Sequence, residues 1–430
     1  MRFKKYILLS LVLCGFAACS DDNEIEIPKA PVLEKAQLAL AIKSEEGAVT
    51  KTGETTPTDA DVNTLTVGVF GVDGWSVIYT KDATPNPDGT KDVGPQDVYA
   101  GKAQVVVVAN AASAIQAELA KAKDITDFLE TTINLTDETL TKGLTMSSGV
   151  LDVTLVANTI NYIGYADEKS EITVNGKIGQ EVHGKGSVPL VRNVASIALA
   201  RVTHSNPDTA NYISKNFVLK EVFIASAKGL SKAAAANTTA DTWSRIEVNP
   251  FEVNLSGSVK GYDAYQVGQQ FDANNTGAYK AGAQTTNGKL LLAVTDNDPK
   301  TVYNKEFYVY ENIDGQVLLG ETGLDKAYAN HTLLIVKGDY TYLPKGLVDN
   351  ESNYVKKEDC YYAIPVGEKV TIDSKEIEGF YVQRNYKYAI TLTIIGPGSE
   401  IPYDPMISTN VSASVKVEPW NVKTIHEEVE

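Results

Sequence analysis

The chain has 430 residues and a formal net charge of -16 at pH 7, with 43% hydrophobic and 22% charged residues. This length and balance predict two or three globular domains with enough apolar residues for real cores. An acidic chain without a basic cluster repels nucleic-acid phosphates and anionic membranes, so the composition excludes nucleic acid as a partner.

The start of the chain has the pattern of a secretory signal. The basic residues Arg2, Lys4 and Lys5 precede an apolar run at 6–18 that ends at Cys19. The run is too short to span a bilayer, which predicts a signal peptide at residues 1–18. Its end resembles a bacterial lipobox and implies lipidation of Cys19. An ordinary cleaved signal followed by a chance cysteine is the alternative.

Residues 19–32 are expected to form a lipidated tether, because an acidic run and two prolines favour an extended, solvated segment. Cys14 leaves with the signal and Cys19 would carry lipid, so Cys360 has no cysteine with which to form an intramolecular disulfide. We therefore expect packing and backbone pairing to stabilise the fold, and the lipid to anchor it to the outer membrane.

Most apolar segments after the tether repeat with a period of two, the spacing of a half-buried strand. Residues 104–109 read QVVVVA, and this continuous run predicts a strand buried on both faces. The first alternating set, at every second position, consists of Ala36, Leu38, Leu40 and Ile42. Further predicted strands lie at 65–69, 188–202, 217–225, 289–294, 307–310, 332–336, 386–395 and 411–417.

One segment, at 111–130, has the 3.6-residue period of a helix. Its apolar face consists of Ile115, Leu119, Ala122, Ile125 and Leu129. The many strands, separated by Gly-, Asn- and Asp-rich turns, predict an all-β protein of two tandem β-sandwiches with one short helix. We place the boundary near 238–244, which gives an N-terminal domain at 33–240 and a C-terminal domain at 241–430.

The sequence predicts no catalytic site, metal site or cofactor. The four histidines are scattered and cysteine is scarce, so a zinc site lacks ligands. The stretch 179–186 (GQEVHGKG) approaches a phosphate-binding loop, but Gly186 stands where a magnesium-binding hydroxyl is needed and a strand follows. An enzyme using two carboxylates, such as a glycosidase, is the least favoured class, because no spacing singles out a pair.

Tyrosine is abundant, at 22 residues, and two clusters raise a second class of function. The first cluster is the strand 307–310, and the second consists of Tyr381, Tyr386 and Tyr388. Aromatic platforms can hold sugars, which would suit a monomeric surface glycan-binding lipoprotein. Alternating tyrosines are also typical of a half-buried strand with hydroxyls at its rim, and we favour that interpretation.

Several phrases, taken in order, resemble the type V fimbrillins of Bacteroidales, the FimA- and Mfa-like pilins. They are 64–70 (TLTVGVF), 104–110 (QVVVVAN), 146–149 (MSSG), 188–195 (VPLVRNVA), 307–312 (FYVYEN), 384–388 (RNYKY), 395–398 (IGPG) and 415–420 (VKVEPW). The resemblance implies transthyretin-like Greek-key sandwiches and a structural, adhesive subunit of surface fimbriae. The implied partners are copies of the chain, tip and anchor subunits, and a trypsin-like processing protease.

The resemblance also implies polymerisation by donor-strand exchange, in which a protease removes the first strand and another subunit's C-terminal strand fills the groove. The processing bond falls best on Lys51–Thr52 in a polar loop, with Lys43 as second choice, because no arginine lies in this region. The groove-filling side chains of the first strand would be Ala36, Leu38, Leu40 and Ile42.

Two segments are candidates for the donor strand. The tail at 421–430 offers Val422 and Ile425 with poor alternation. The segment 411–417, which could instead complete its own domain, alternates through Val411, Ala413, Val415 and Val417. A tip subunit, which needs no donor strand, and an anchor subunit, which keeps its first strand, are close alternatives to a shaft subunit.

Overall fold

The structure is a computed structural model that describes residues 33–44, 61–85, 91–138, 142–205, 208–225, 230–234, 269–270, 280–281, 292–294, 306–312, 332–372, 375–400 and 411–419. β-Strands dominate these ranges, as the period-two pattern predicts, so the all-β fold class is confirmed. Within them, no helix has the length and apolar character needed to cross a membrane.

The strands up to residue 192 form the first half of the molecule. Twelve of them, in the described ranges, are hydrogen-bonded into one sheet that wraps a single apolar core. The thirteen strands described in this half are β1 (Lys35–Ser44), β2 (Thr64–Gly71), β3 (Ser76–Asp82), β4 (Thr84–Pro85), β5 (Lys91–Tyr99), β6 (Gly101–Ala109), β7 (Thr132–Asn134), β8 (Met146–Ser147), β9 (Leu151–Leu155), β10 (Ile160–Ile163), β11 (Glu171–Val174), β12 (Lys177–Glu181) and β13 (Val188–Arg192). All but β7 belong to this sheet.

Strand β6 confirms the prediction of a strand buried on both faces. Val105 and Val107 face the core that β1 also fills, whereas Val106 and Val108 face a second cluster beneath the helical segment. Because successive side chains of a strand point to opposite faces, a continuous apolar run is stable only where both faces are covered.

The predicted helical segment forms two pieces, α1 (Ser113–Leu119) and α2 (Ile125–Glu130). The break precedes α2, where the Asp124 side chain accepts a hydrogen bond of 2.9 Å from the Asp127 amide and caps the new helix. Ile115 and Leu119 are buried as the pattern predicts, and Phe128 joins them in packing on the outer face of β6.

The second half of the molecule is a sandwich. Its described strands are β14 (Val194–His204), β15 (Tyr212–Ala225), β16 (Leu230–Lys232), β17 (Gln269–Gln270), β18 (Lys280–Ala281), β19 (Leu292–Val294), β20 (Glu306–Tyr310), β21 (Leu333–Pro344), β22 (Val355–Pro365), β23 (Glu368–Ile372), β24 (Lys375–Tyr381), β25 (Tyr386–Ile394) and β26 (Val411–Pro419). A six-stranded sheet in the order β18-β17-β20-β14-β25-β26 packs on a four-stranded sheet in the order β19-β15-β21-β22, and their inner faces form one core. Two separate pairs are formed by β16 with β7 and by β23 with β24.

The change from the first core to the second comes earlier in the chain than the expected boundary near 241. Strand β13 pairs with β1, but β14, which starts two residues later, pairs with β20 and β25. The apolar pattern runs through both strands without a break, so composition gives no sign of the change. Hydrogen-bond partners that are far apart in sequence decide it.

A buried polar cluster holds the two halves together, and we call it the junction cluster. Arg384 donates to Glu311 at 2.6 Å and to Asn193 at 3.1 Å, and all three side chains are nearly inaccessible to solvent. Arg192 donates to Asn385 at 3.3 Å. Nearby, the hydroxyl of Tyr310 in the second half donates to Glu138 in the first half at 3.0 Å.

Candidate assembly site at the first strand

Strand β1 lies in the interior of its sheet, with partners on both edges. On one edge it is antiparallel to β5, from Lys35 opposite Tyr99 to Ile42 opposite Lys91. On the other edge it is parallel first to β10 and then to β13. In the described ranges no other strand joins β10 to β13, and β5 reaches the rest of the sheet through β1. Removal of β1 would therefore divide the sheet into three parts.

The side chains of β1 are buried on both faces along most of its length. The four residues predicted to fill a groove, Ala36, Leu38, Leu40 and Ile42, belong to the first core with exposures of 0 to 4%. Ala39 and Ala41, on the opposite face, are also buried. The alternation did not single out these two alanines. Their small size, repeated on one face, was the available signal that this face is also covered.

On this edge of β1, Ala41 lies between the end of β10 and the start of β13. β10 ends opposite Leu40, and β13 starts opposite Ile42. Gly164 lies in this gap with φ of +93°, and a Cβ atom there would stand 2.3 Å from the Ala41 carbonyl oxygen. Only glycine combines this backbone conformation with so close an approach.

Polar side chains also bind the backbone of β1. The Asn161 amide donates to the Gln37 carbonyl at 3.1 Å, and the Tyr165 hydroxyl donates to the Leu40 carbonyl at 3.3 Å. Burial raises the pKa of Tyr165, and the charge of Asp92 adds to the effect, so the hydroxyl remains a donor at neutral pH. These contacts require an extended strand in this position but no particular side chain on it.

The segment that resembles a phosphate-binding loop has another role. The buried carboxylate of Glu181 accepts hydrogen bonds from the amides of His183 and Gly184, both at 2.9 Å, and from the Tyr165 amide at 3.0 Å. Amides that are already bonded to a carboxylate cannot cradle a phosphate. Glu181 instead fixes the turn that carries Gly164 and Tyr165 to β1.

Of the candidate processing and lipidation residues, Lys43 lies within the described residues. Lys43 has an exposed side chain, but its backbone is in register with Pro189 inside β1. A bond held in a sheet is a poor protease substrate, which disfavours this second choice. Cys19, Lys51 and Thr52 lie outside the described residues.

The donor-strand candidate at 411–417 lies in β26, which pairs with β25 along its whole length and, among the strands that the structure describes, is at the edge of its sheet. Ala413 is exposed, as are its two neighbours, and Val415 is half-buried against the second core. From residue 412 to residue 414, backbone pairing with β25 therefore holds the strand without help from buried side chains. The side chains of Val411 and Val417, and the whole of Val422 and Ile425, are not among those described.

The tyrosine clusters lie inside the protein rather than on a platform. Tyr308, Tyr310, Tyr381 and Tyr388 are at most 5% exposed, and Tyr386 packs on the second core. This confirms the structural interpretation of these residues. Among the residues that the structure describes, no group of three or more His, Cys, Asp or Glu side chains is arranged to hold a metal ion.

Known proteins with similar sequence or structure point to one class. The family model for the major fimbrial subunit protein FimA matches residues 36–192, which span the first sheet. A crystal structure from Parabacteroides distasonis, described as a cell adhesion protein, is 67% identical, with a TM-score of 0.70, over 91% of this chain and 100% of that chain.

More distant relatives agree. The major fimbrium subunit FimA type-3 of Porphyromonas gingivalis is 26% identical over 98% of both chains. A crystal structure of a fimbrilin from P. gingivalis W83 shares the fold, with a TM-score of 0.51 at 20% identity over 90% of this chain and 98% of that chain. The two-part all-β fold is therefore that of the Bacteroidales fimbrillins. The chain belongs to the FimA family of major fimbrial subunit proteins.

Proposed function

We propose that this chain is a structural subunit of surface fimbriae that polymerises by protease-triggered donor-strand exchange and supports adhesion. Its family, and the names of its relatives as fimbrial subunits and as a cell adhesion protein, support the general role. The interior position of β1 carries the specific mechanism. A sheet that depends on one strand near the start of the chain becomes a receptor when that strand is lost.

The first step is cleavage of the Lys51–Thr52 bond by a trypsin-like protease, followed by departure of β1. This leaves unpaired backbone groups on β5, β10 and β13 and an apolar trough where Leu38, Leu40 and Ile42 lay. Such an edge is a template for strand addition. Reburial of four apolar side chains, which match these three and Ala36, contributes about 5 to 10 kcal/mol before the entropy cost of association.

The second step is insertion of a strand from another copy, and β26 or the tail after it would supply that strand. An edge strand with exposed side chains around Ala413 gives up little core packing when it leaves. In the groove, Asn161 and Tyr165 bond to β1 only through its backbone, so a different sequence with the same alternation can replace β1.

Two further features complete the proposed role. Lipid on Cys19 would hold the precursor at the outer membrane until cleavage releases the lipidated segment together with β1. Tip and anchor subunits of the same family would terminate the polymer at its two ends.

Limited trypsin treatment of the chain lacking residues 1–18 tests this function, with N-terminal sequencing and an unboiled denaturing gel. We expect a new start at Thr52 and a ladder of detergent-resistant multimers. The variant Lys51→Ala should remain uncut there and monomeric, whereas the matched control Lys43→Ala should behave as wild type. Clean cleavage that leaves only monomers would contradict strand exchange between copies.

A further inference from the structure

The large apolar side chains that are exposed in the described residues form two groups. Val72, Val156 and Ile178 are exposed by 66, 45 and 64% in the first half of the molecule, together with Leu33 at 37%. Leu347, Val348 and Val355 are exposed by 51, 77 and 37% in the second half. Exposed large apolar residues that are grouped rather than scattered indicate a contact surface.

The first group lies at the end of the first domain that faces away from the junction. Strand β1 runs toward the junction, because its last residue, Ser44, is in register with Leu190 of β13. Its first residue, Lys35, therefore marks the far end, about 30 Å away at roughly 3.3 Å per residue.

Register places the exposed residues at that end. The Val72 amide donates to the Lys102 carbonyl, Val156 follows the residue paired with Gly101, and Ile178 precedes the residue paired with Ile160 beside the start of β1. We call Val72, Val156 and Ile178 the first pole. Leu33 lies at the same end but would leave with β1.

The second group lies at the opposite end of the molecule. Strand β14 starts at the junction with Val194 and ends at His204, whose ring bonds the Ser214 hydroxyl at 2.6 Å. Strand β21, which pairs with β15 near that serine, ends at Pro344 and leads into the turn that carries the exposed residues. We call Leu347 and Val348 the second pole.

The turn that carries the second pole has a defined conformation. The Asn353 amide donates to the Val348 carbonyl at 2.8 Å, and Asp349 pairs with Lys215 at 2.8 Å. The Tyr354 hydroxyl donates to the other oxygen of Asp349 at 2.6 Å. These bonds fix the turn, in which the side chains of Leu347 and Val348 are exposed.

We infer that the two poles bind each other between successive copies of the chain, with Leu347 and Val348 of one copy against Val72, Val156 and Ile178 of the next. This rests on the proposed polymerisation. Contact between two different surfaces of one chain is heterologous and propagates as an open filament.

The position of the first pole identifies a second copy as the occupant. The pole surrounds the outer end of the β1 groove, which the proposed exchange fills with a strand from a neighbouring copy. A recess of about 410 Å³ opens there, and its walls include Asp97, Asn158, Ile160 and Ile178, which remain after β1 is lost.

The size of the contact determines when it acts. A stable interface buries roughly 1,200 to 2,000 Å², far more than five side chains provide. The poles therefore cannot hold unprocessed copies together. Once the first residues of a donor strand have entered the groove of another copy, the contact becomes intramolecular and benefits from a high effective concentration. It then holds the two copies in orientation and favours completion of the insertion over release of the partly inserted strand.

The test uses the trypsin-triggered assembly described above, followed over time. We expect the double variant Leu347→Asp/Val348→Asp to be cut normally by trypsin. Its multimers should form at least about tenfold more slowly than those of wild type, because two carboxylates would have to be buried against the first pole. The variant Ile178→Asp should show the same defect. A matched control, Lys121→Asp, places the charge at an exposed position just after the C-terminal end of α1, outside both poles, and should assemble as wild type.

A charge pair gives the decisive comparison. Val348→Asp combined with Ile178→Lys in one chain should recover assembly relative to either single variant, because each contact then contains one opposite pair. Normal ladders from the double Asp variant would overturn the pole contact while leaving strand exchange intact. Wild-type chains that are cut but form no multimers would overturn both proposals. Thermal unfolding of each variant confirms that the surface changes leave the fold in place.

Discussion

The buried ion pair of the junction cluster offers a quantitative test of how the structure stabilises charge at the junction. Arg384 and Glu311 are 2 to 3% exposed, and the guanidinium donates to both carboxylate oxygens as well as to Asn193. The variant Arg384→Met removes the positive charge and leaves the Glu311 carboxylate buried without its partner. Breaking a buried pair in this way costs about 3 to 5 kcal/mol, because the remaining charge keeps its desolvation penalty.

The double variant Arg384→Met/Glu311→Leu is the matched control for this experiment. It removes both charges and keeps similar volume, so it should recover most of the stability lost by the single variant. The free energy of unfolding is measured by urea denaturation with circular dichroism, in a chain that lacks residues 1–18 and carries Cys19→Ser. A loss below about 1 kcal/mol for Arg384→Met would refute the assignment of the pair to a dry junction.

Three further predictions concern single buried groups. Gly164→Ala should lower the unfolding free energy by about 2 kcal/mol, because alanine is strained at this positive φ and its Cβ would clash with the Ala41 carbonyl. Gly94→Ala is the control, since nothing lies within 4 Å of a Cβ there, and it should leave the unfolding free energy unchanged. An equal effect of the two substitutions would contradict the close approach at Gly164. Burial raises the pKa of Glu138 despite its hydrogen bonds, so its ionised form costs stability above the folded pKa, and this cost disappears as pH falls toward 4.5. When the pH is lowered from 7 to 5, the unfolding free energy of wild type should therefore rise relative to that of Glu138→Gln. A fall would mean that the pKa of Glu138 is lowered by folding, not raised. Burial also raises the pKa of Cys360, so iodoacetamide should label this thiol roughly 100-fold more slowly in the folded chain than in urea; labelling at equal rates would place it outside the second core.

The local features of the fold were predictable from the sequence because they depend on side-chain periodicity. Alternation at Leu38, Leu40 and Ile42 predicts a strand with one apolar face, and the run at 104–109 predicts a strand covered on both faces. The helical segment was found by its period, although its break was not. The cap at Asp124 competes with helix continuation, and a pattern that spans both pieces conceals it.

The candidate site was predictable only in part. The side chains of the first strand were identified, but nothing in its own sequence reveals that it lies between β5 on one edge and β10 and β13 on the other. Gly164 and Glu181 support the position of β1, although they lie more than 100 residues away from it in the chain. Such residues have meaning only once the strands are paired, since each acts through one backbone atom of a distant element.

The sequence by itself determined the class of the protein: an acidic all-β chain with period-two strands, a single cysteine after residue 19, and phrases in the order found in fimbrillins. The tertiary structure decided which strands pair, that β13 joins the first sheet while β14 joins the second core, and that Arg384 and Glu311 form a buried pair. The physical reason is range. Periodicity is set by neighbours along the chain, whereas sheet order, domain limits and buried charge pairs depend on contacts between residues far apart in sequence.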